Sequence, residues 1–490
     1  MRPKRQLRLW GAVGLSLGII GPTLAMAGNG QGTVAAVGKA VPLVFVFGAI
    51  GIALIAHGFI RLTQRYNHAG STYALVGMTV GPRTGFISGF CVMITYVFFS
   101  ICTLGALGSF LNAFLAAAQG GAHPYQLPWI VIAVAGLALS AVLNTRDLRV
   151  VTRVLLTIEG VGILCMIILA IVIFATGGTK PTGVDFSSFS IAGNHFSGIM
   201  GAVVAAFLSW AGFEGCAALG EETNDPKRNI PRALLASVAL TAVLFVVVMF
   251  AQTVGFGTGP AGLKLFSTVG NSLTSLGQTY VGVWFSLIIS FAAVMSAFAC
   301  HLSSSATSSR LLYAFSRDGL GPKRFAQLDG QRSLPLNALV AVLGVTLVVN
   351  FLSWATGWPG GSATPALNSY FYFATAGAIC LMVAYLLVEV GTISHLTRER
   401  REKIAEVVLP VLGGALMITV FYFNLKGQTS VTAPVYLAFA IVLIGVLVAF
   451  FAPGLAHKVG EGLSAELGEP GGKELPAAAE AGEVFPATAR

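Results

Sequence analysis

The sequence predicts an all-α polytopic membrane protein with about 12 transmembrane helices. Three observations carry that reading. Hydrophobic residues make up 55% of the 490 positions and charged residues 10%, where an ordinary soluble domain carries roughly 25% charged; mean hydropathy is +0.81. Apolar stretches of about 20 residues, enough to cross the hydrocarbon core as a helix, recur along the whole chain. Basic residues crowd into alternate connections between those stretches. The strand-length alternation of a membrane β-barrel does not compete with this pattern.

The stretches fall at about 9–35, 40–60, 85–117, 127–144, 151–176, 197–220, 232–256, 279–307, 335–355, 367–390, 407–424 and 432–452. The first follows a basic start at 1–8, and its full spanning length marks an uncleaved helix, not a signal peptide. Within it, Gly18-Ile-Ile20-Gly21-Pro22-Thr23 places glycines ahead of a mid-membrane proline. Proline lacks an amide and crowds the preceding turn, so a break is expected over 18–23. The third and eighth stretches are long enough to tilt or to run past the bilayer. The fifth carries Glu159 about two turns inside. The sixth carries Glu214 in Ser209-Trp210-Ala211-Gly212-Phe213-Glu214, and Gly212 and Gly215 on either side of the acid predict a second break. A charge at that depth costs on the order of 2.5–3.5 kcal/mol, which marks a pathway or a site. The eighth ends in His301-Leu-Ser303-Ser304-Ser305, and Glu389 sits near the end of the tenth. From 454 the chain is rich in Gly, Ala and Pro and includes six glutamates; residues 454–490 read as a disordered cytoplasmic tail.

Net charge is +10, and its location decides its meaning. With both termini cytoplasmic, 25 of the 29 basic residues face inward, leaving Lys39, Lys180, Lys264 and Lys426 outside. This is the positive-inside bias of a multi-pass protein of the cell membrane, whose partner is the lipid bilayer and not nucleic acid. The six cysteines all lie in apolar stretches without a Cys-x-x-Cys pair, so they read as packing residues; no metal site and no cofactor are expected.

The first and sixth stretches hold the same place in two five-helix halves, 9–176 and 196–391, with a peripheral pair at 407–452. Interrupted helices in corresponding positions point to a secondary transporter built from inverted repeats, its site at the midplane. Unwound backbone is tolerated there because it lines a cavity. A channel would need a continuous polar stripe or a ring of charge, and a membrane sensor or membrane enzyme a soluble domain or a convergent catalytic or metal constellation; the sequence shows none of these.

Four stretches carry a family resemblance. Trp210-Ala-Gly-Phe-Glu214, followed by Glu221-Glu222, Asp225-Pro-Lys-Arg228 and Ile230-Pro-Arg232, resembles the sixth helix and following loop of the amino acid–polyamine–organocation permeases. Asn67-His-Ala-Gly70-Ser-Thr-Tyr73 with Gly85-Phe-Ile-Ser-Gly89 resembles the loop and start of their third helix. Ser309-Arg310-Leu-Leu-Tyr313-Ala-Phe-Ser-Arg317-Asp318-Gly319 with Pro322 resembles the loop after helix eight, and Leu143-Asn144 the connection from helix four to five. The motifs run in order over about 7–450.

The resemblance implies a five-plus-five inverted-repeat core with interrupted first and sixth helices, two peripheral helices and alternating access. It implies a secondary transporter, not an enzyme, for a small amino acid or related amine, driven by a proton or sodium or by exchange. Polyamines, other organic cations or nucleobases are the alternative. Ile20, Gly21, Pro22 and Thr23 would meet a carboxylate at a helix amino terminus, carbonyls from Ala211 and Gly212 would accept from an ammonium, and Phe207, Trp210 and Phe213 would close over the solute. Glu214 falls where some exchangers of the family have an acid implicated in proton-sensitive transport. Glu159 stands near a lysine of proton-coupled relatives and could carry a proton, help to bind sodium or pair with Arg153. Ser304 and Ser305 are the hydroxyls suited to sodium. The family's usual Gly-Ser-Gly is here Gly21-Pro22-Thr23; Pro22 donates no amide, which weakens the α-amino-acid assignment.

Overall fold

The computed structural model describes residues 9–66, 71–120, 124–145, 148–191, 193–219, 223–317, 319–329, 334–361, 363–398, 404–426, 432–452 and 454–460. The first stretch is a pair of helices in line, α1 (Leu9–Ile20) and α2 (Pro22–Val37), and α3 (Val41–Arg65) follows after a short 3-10 turn. The short α4 (Ser71–Thr79) precedes the long α5 (Pro82–Gln119), and α6 (Trp129–Asn144) and α7 (Leu148–Ala175) complete the first half. The second half opens with α8 (Phe196–Ser209) and a 3-10 segment, Phe213–Leu219. There follow α9 (Pro226–Phe256), α10 (Pro260–Thr268), α11 (Ser272–Tyr280), α12 (Val283–Arg317), α13 (Leu336–Thr356) and α14 (Pro365–Arg398). Two further helices, α15 (Ile404–Leu425) and α16 (Thr432–Phe451), end the membrane part.

Proline marks many of the starts. Pro22, Pro42, Pro82, Pro226 and Pro260 each stand in the first turn of a helix, where the missing amide is one of those left unbonded anyway and φ is preset. Among the described residues nine helical runs are long and apolar enough to cross a membrane; the first, Leu9–Arg65, contains α1 to α3. Trp129–Asn144 and Phe196–Ser209 are shorter apolar helices, so each of the expected stretches is helical. Beyond the expectation stand α4, α10 and α11, each of 9 residues, too short to leave a spanning signal.

Five crossings is an odd number, so the second half enters the membrane in the opposite sense to the first. Corresponding helices of the halves meet: α2 packs on α8, α3 on α9 and α5 on α12. A long contact of α14 with α5 closes the core, and α15 and α16 lie outside α14. Their spanning windows are the least buried of the nine, 33% and 28%. Among the described residues, the ion pairs Lys39–Asp185 at 3.4 Å and Arg61–Glu406 tie the ends together. Each joins helix ends that alternate crossing puts on one face.

The tail expected to be disordered from 454 begins instead with a helical turn over 455–460, which buries Leu455 and Val459. Lys458 Nζ donates to the Gly319 carbonyl at 3.2 Å. These residues have an apolar face to bury, unlike the acid-bearing stretch beyond them. Residues 461–490, the start at 1–8, and the motif residues 67–70 and Glu221-Glu222 lie outside the described residues.

Candidate functional site

At the first break a single residue leaves the helix: Gly21, at φ 60° and ψ 61°. An L-side chain there is strained, and a Cβ would also stand 2.5 Å from Cys300 Sγ. Gly18, expected within the break, remains in α1 because the amide of Gly21 still reaches the Leu17 carbonyl at 3.0 Å. Pro22 then restarts the helix as its first residue. The second break is longer. Trp210, Ala211 and Gly212 form a turn, with Gly212 at φ 94°, and the chain continues as a 3-10 helix.

The two breaks face one another. α1 runs beside the 3-10 segment and α2 beside α8. Ile19 lies against Gly212 and Gly215, where no Cβ would fit, and Ser16 Oγ donates to the Phe213 carbonyl at 3.2 Å. Beside them is a cavity of about 40 Å³. Ligand pockets run to about 300–1,000 Å³, so this is a closed site that must open to admit a solute.

Of the expected ligands, Ile20, Ala211 and Ser304 line the cavity. The aromatic lid is corrected. Phe207 packs against Gly51 of α3. Trp210 lies between Phe45 and Phe245, with centroids 6.0 and 5.0 Å away, and donates Nε1–H to Thr241 Oγ1 at 3.0 Å. Phe213 edges onto Phe59 and Tyr385, both at 5.4 Å. Only one face of a helix end can meet the cavity, and Leu208 and Ala211 occupy it; the three large rings anchor the broken helix to α3, α9 and α14. The cavity's own aromatics are Tyr96 and Phe99 of α5 and Tyr370 of α14. Nothing in the pattern of residues marks these three, since aromatics are common fillers of apolar helices. Asn29 also lines the cavity; a polar residue in a spanning stretch was a signal available for it.

Two polar clamps flank the breaks, and α14 supplies a phenol to each. Glu214 Oε2 accepts from Tyr385 at 2.6 Å and Oε1 from Tyr96 at 3.3 Å. Asn29 Oδ1 accepts from Tyr370 at 2.7 Å, while its Nδ2 donates to Ser209 Oγ at 2.7 Å. Tyr370 and Tyr385 are separated by about 22 Å along α14, at 1.5 Å per residue. Both clamps border the cavity, one through Tyr96 and the other through Asn29 and Tyr370.

The remaining candidates separate. Glu159 is buried and its Oε1 accepts the Thr23 amide at 2.7 Å, while Arg153 is exposed, so that expected pair does not form. The Leu24 amide goes to Ser296 Oγ at 3.1 Å. Ser305 turns away from the cavity, accepting from Asn144 Nδ2 at 3.3 Å, so the two expected serine hydroxyls do not converge. His301 belongs to a polar core: its Nδ1 donates to the Ser100 carbonyl at 2.9 Å and Nε2 accepts from Ser140 at 2.9 Å. Glu389 is buried well within α14, its carboxylate against Gly58 of α3 and neither oxygen hydrogen-bonded. Among the described residues no three His, Cys, Asp or Glu side chains converge as a metal site.

Comparison with known proteins agrees with this architecture. The sequence profile of the family described as amino acid permease matches residues 7–464. The branched-chain amino acid permease BcaP of Lactococcus lactis subsp. cremoris is 24% identical over 470 residues, covering 91% of this chain and 93% of that protein. The low-affinity putrescine importer PlaP of Escherichia coli K12 is 24% identical over 82% of this chain and 85% of its own. A methylthioribose transporter of Bacillus subtilis is 28% identical over 62% of this chain and 66% of its own.

Proposed function

Since the chain belongs to the amino acid permease family, a family of transporters and not of enzymes, we propose that it carries a small solute bearing an amino group by alternating access. The carrying observation is the small cavity beside two facing helix breaks, bordered by the Asn29–Tyr370 bond and by Tyr96, which with Tyr385 holds Glu214. Releasing one clamp while the other holds would open the site to one side at a time. The two relatives that align over 91% and 82% of this chain are named for branched-chain amino acids and for putrescine, solutes that share an amino group.

Proton coupling is the favoured drive. Glu214 is a buried carboxyl hydrogen-bonded to a cavity-lining phenol, and the hydroxyls that could ligate sodium point apart. The basic bias supports a cytoplasmic position for both termini in the cell membrane.

Uptake into proteoliposomes tests the proposal. Saturable accumulation of an amine-bearing solute under an imposed pH gradient, unchanged when choline replaces sodium, is expected. If no amine-bearing solute of a broad panel moves, the substrate reading fails. Accumulation that follows a sodium gradient at clamped pH would replace the proton by sodium.

A further inference from the structure

The start of α2 is a place where a transported anion would ordinarily dock. The first amides of a helix point outward unbonded and carry about half a positive charge, and broken transporter helices aim such ends at anionic substrate groups. Here no amide is left for that purpose. Pro22 has none. The Thr23 amide donates to Glu159 Oε1 at 2.7 Å, the Leu24 amide to Ser296 Oγ at 3.1 Å, and the Ala25 amide to the Gly21 carbonyl at 2.9 Å. Glu159 comes from α7, which contributes no residue to the cavity. Its carboxylate meets the helix end where a substrate's carboxylate would.

The same hydrogen bonds leave acceptors behind. In an unbroken helix the carbonyls of Gly18, Ile19 and Ile20 would accept from the amides four residues on, at Pro22, Thr23 and Leu24. Proline has no N–H, and the other two amides are engaged by Glu159 and Ser296. Ile19 and Ile20 line the cavity, and the Ile19 carbonyl receives the Cys300 thiol. The break therefore has no free amide to offer and leaves the carbonyls of Gly18 and Ile20 without their helical partners. Charge points the same way. Among the described residues the buried groups with a formal charge are Glu159, Glu214 and Glu389; no lysine or arginine is buried. A carboxylate entering this interior would find no cation and two acids nearby. An ammonium would find the rings of Tyr96, Phe99 and Tyr370 and no buried cation to repel it.

We infer that Glu159 is a specificity-determining residue: it fills the anion position at the start of α2, so the permease carries amines that lack a carboxylate and rejects the corresponding amino acids. This inference rests on the proposed transport of an amino-bearing solute and narrows it.

Matched pairs differing only in the carboxylate test it: putrescine against ornithine, and isoamylamine against leucine, in counterflow and competition assays on wild-type proteoliposomes. The decarboxylated member of each pair is expected to compete at least tenfold better. An amino acid that competes as well as its amine overturns the inference while leaving the proposed transport intact; if no member of either pair competes or accumulates, both fall. In Glu159→Ala, which frees the Thr23 amide, the preference is expected to shrink at least fivefold. Glu159→Gln keeps an oxygen to accept that amide and removes the charge, so it serves if the alanine variant does not fold. A folded variant with the wild-type preference would make Glu159 a structural cap only, because the loss of a mere cap lowers stability without changing the ratio within a pair.

Discussion

At the scale of single residues, Glu214 is held by two phenols of unequal reach, 2.6 Å from Tyr385 and 3.3 Å from Tyr96. Hydrogen bonds to a charged group are worth about 1.5–3 kcal/mol, and the short one should dominate. Tyr385→Phe is expected to reduce kcat/KM for uptake about tenfold or more at equal expression, and Tyr96→Phe by less, since ~1.4 kcal/mol corresponds to tenfold. Equal losses would mean that the two phenols share the load. Glu214→Gln is expected to flatten the pH profile of uptake with little change in expression; an unaltered profile would leave the carboxylate a brace for the break. Glu389 makes the opposite case, a buried acid whose oxygens have no hydrogen-bond donor. An unpaired buried charge costs several kcal/mol, so Glu389→Gln should melt no lower than wild type in a detergent thermal ramp; a clear drop would show that the carboxylate is held. How much of this was legible follows from what each residue type can signal. An acid in an apolar run stands out, and Glu159 and Glu214 were found that way. A phenylalanine or tyrosine there does not, and the face it occupies depends on packing with helices distant in sequence. That is why the residue pattern points to Trp210 and Phe213 as cavity rings and is silent on Tyr96 and Tyr370.

At the scale of elements, the first break depends on one residue. Gly21 has a left-handed backbone, and a Cβ added there would overlap Cys300 Sγ. Gly21→Ala should incur ~1–2 kcal/mol of backbone strain together with overlap on the thiol, and should lower both melting temperature and uptake. Cys300→Gly in the same chain relieves the overlap but not the strain, so it should restore only part of the loss; full recovery would show that sterics alone matter at this position. Asp185 governs a loop at one end of the molecule. The Ser187 hydroxyl, then the Thr258 hydroxyl, the Ser187 amide and the Lys39 ammonium hold its carboxyl down to about 2, against an ordinary 3.8. A value depressed by folding adds stability that is complete above the ordinary value and disappears as pH falls through about 4 towards 2. Thermal ramps from pH 5 to pH 2 should show Asp185→Asn losing less stability than wild type over that window; parallel curves would mean the loop is not a latch. Elements this apolar were legible because length and composition alone identify a spanning helix. The short α4, α10 and α11 were not, since 9 residues of mixed polarity resemble any loop.

At the scale of the whole molecule, matching breaks in two halves of opposite sense would put the proposed site midway between the two membrane faces. The symmetry was legible from the positions of Gly21-Pro22 and Gly212, whereas the closed state of the cavity was not, because it depends on clamps that α14 makes with both halves. If Tyr370 and Tyr385 hold opposite ends, the site must open at one end or the other in turn. The cysteines supply a test without added probes. Cys102 and Cys300 line the cavity, while Cys91, Cys165, Cys216 and Cys380 are buried away from its lining. In variants that retain only Cys102 or only Cys300, a membrane-impermeant thiol reagent should label from either side of oriented vesicles. Tyr370→Phe, which frees the Asn29 end, should raise labelling from the outside, and Tyr385→Phe should raise it from the inside. The same reagent should leave a variant that retains only Cys380 unlabelled from both sides. If both tyrosine variants increase labelling from the same side, then α14 does not gate the two ends separately, and the alternating mechanism would need a different moving element.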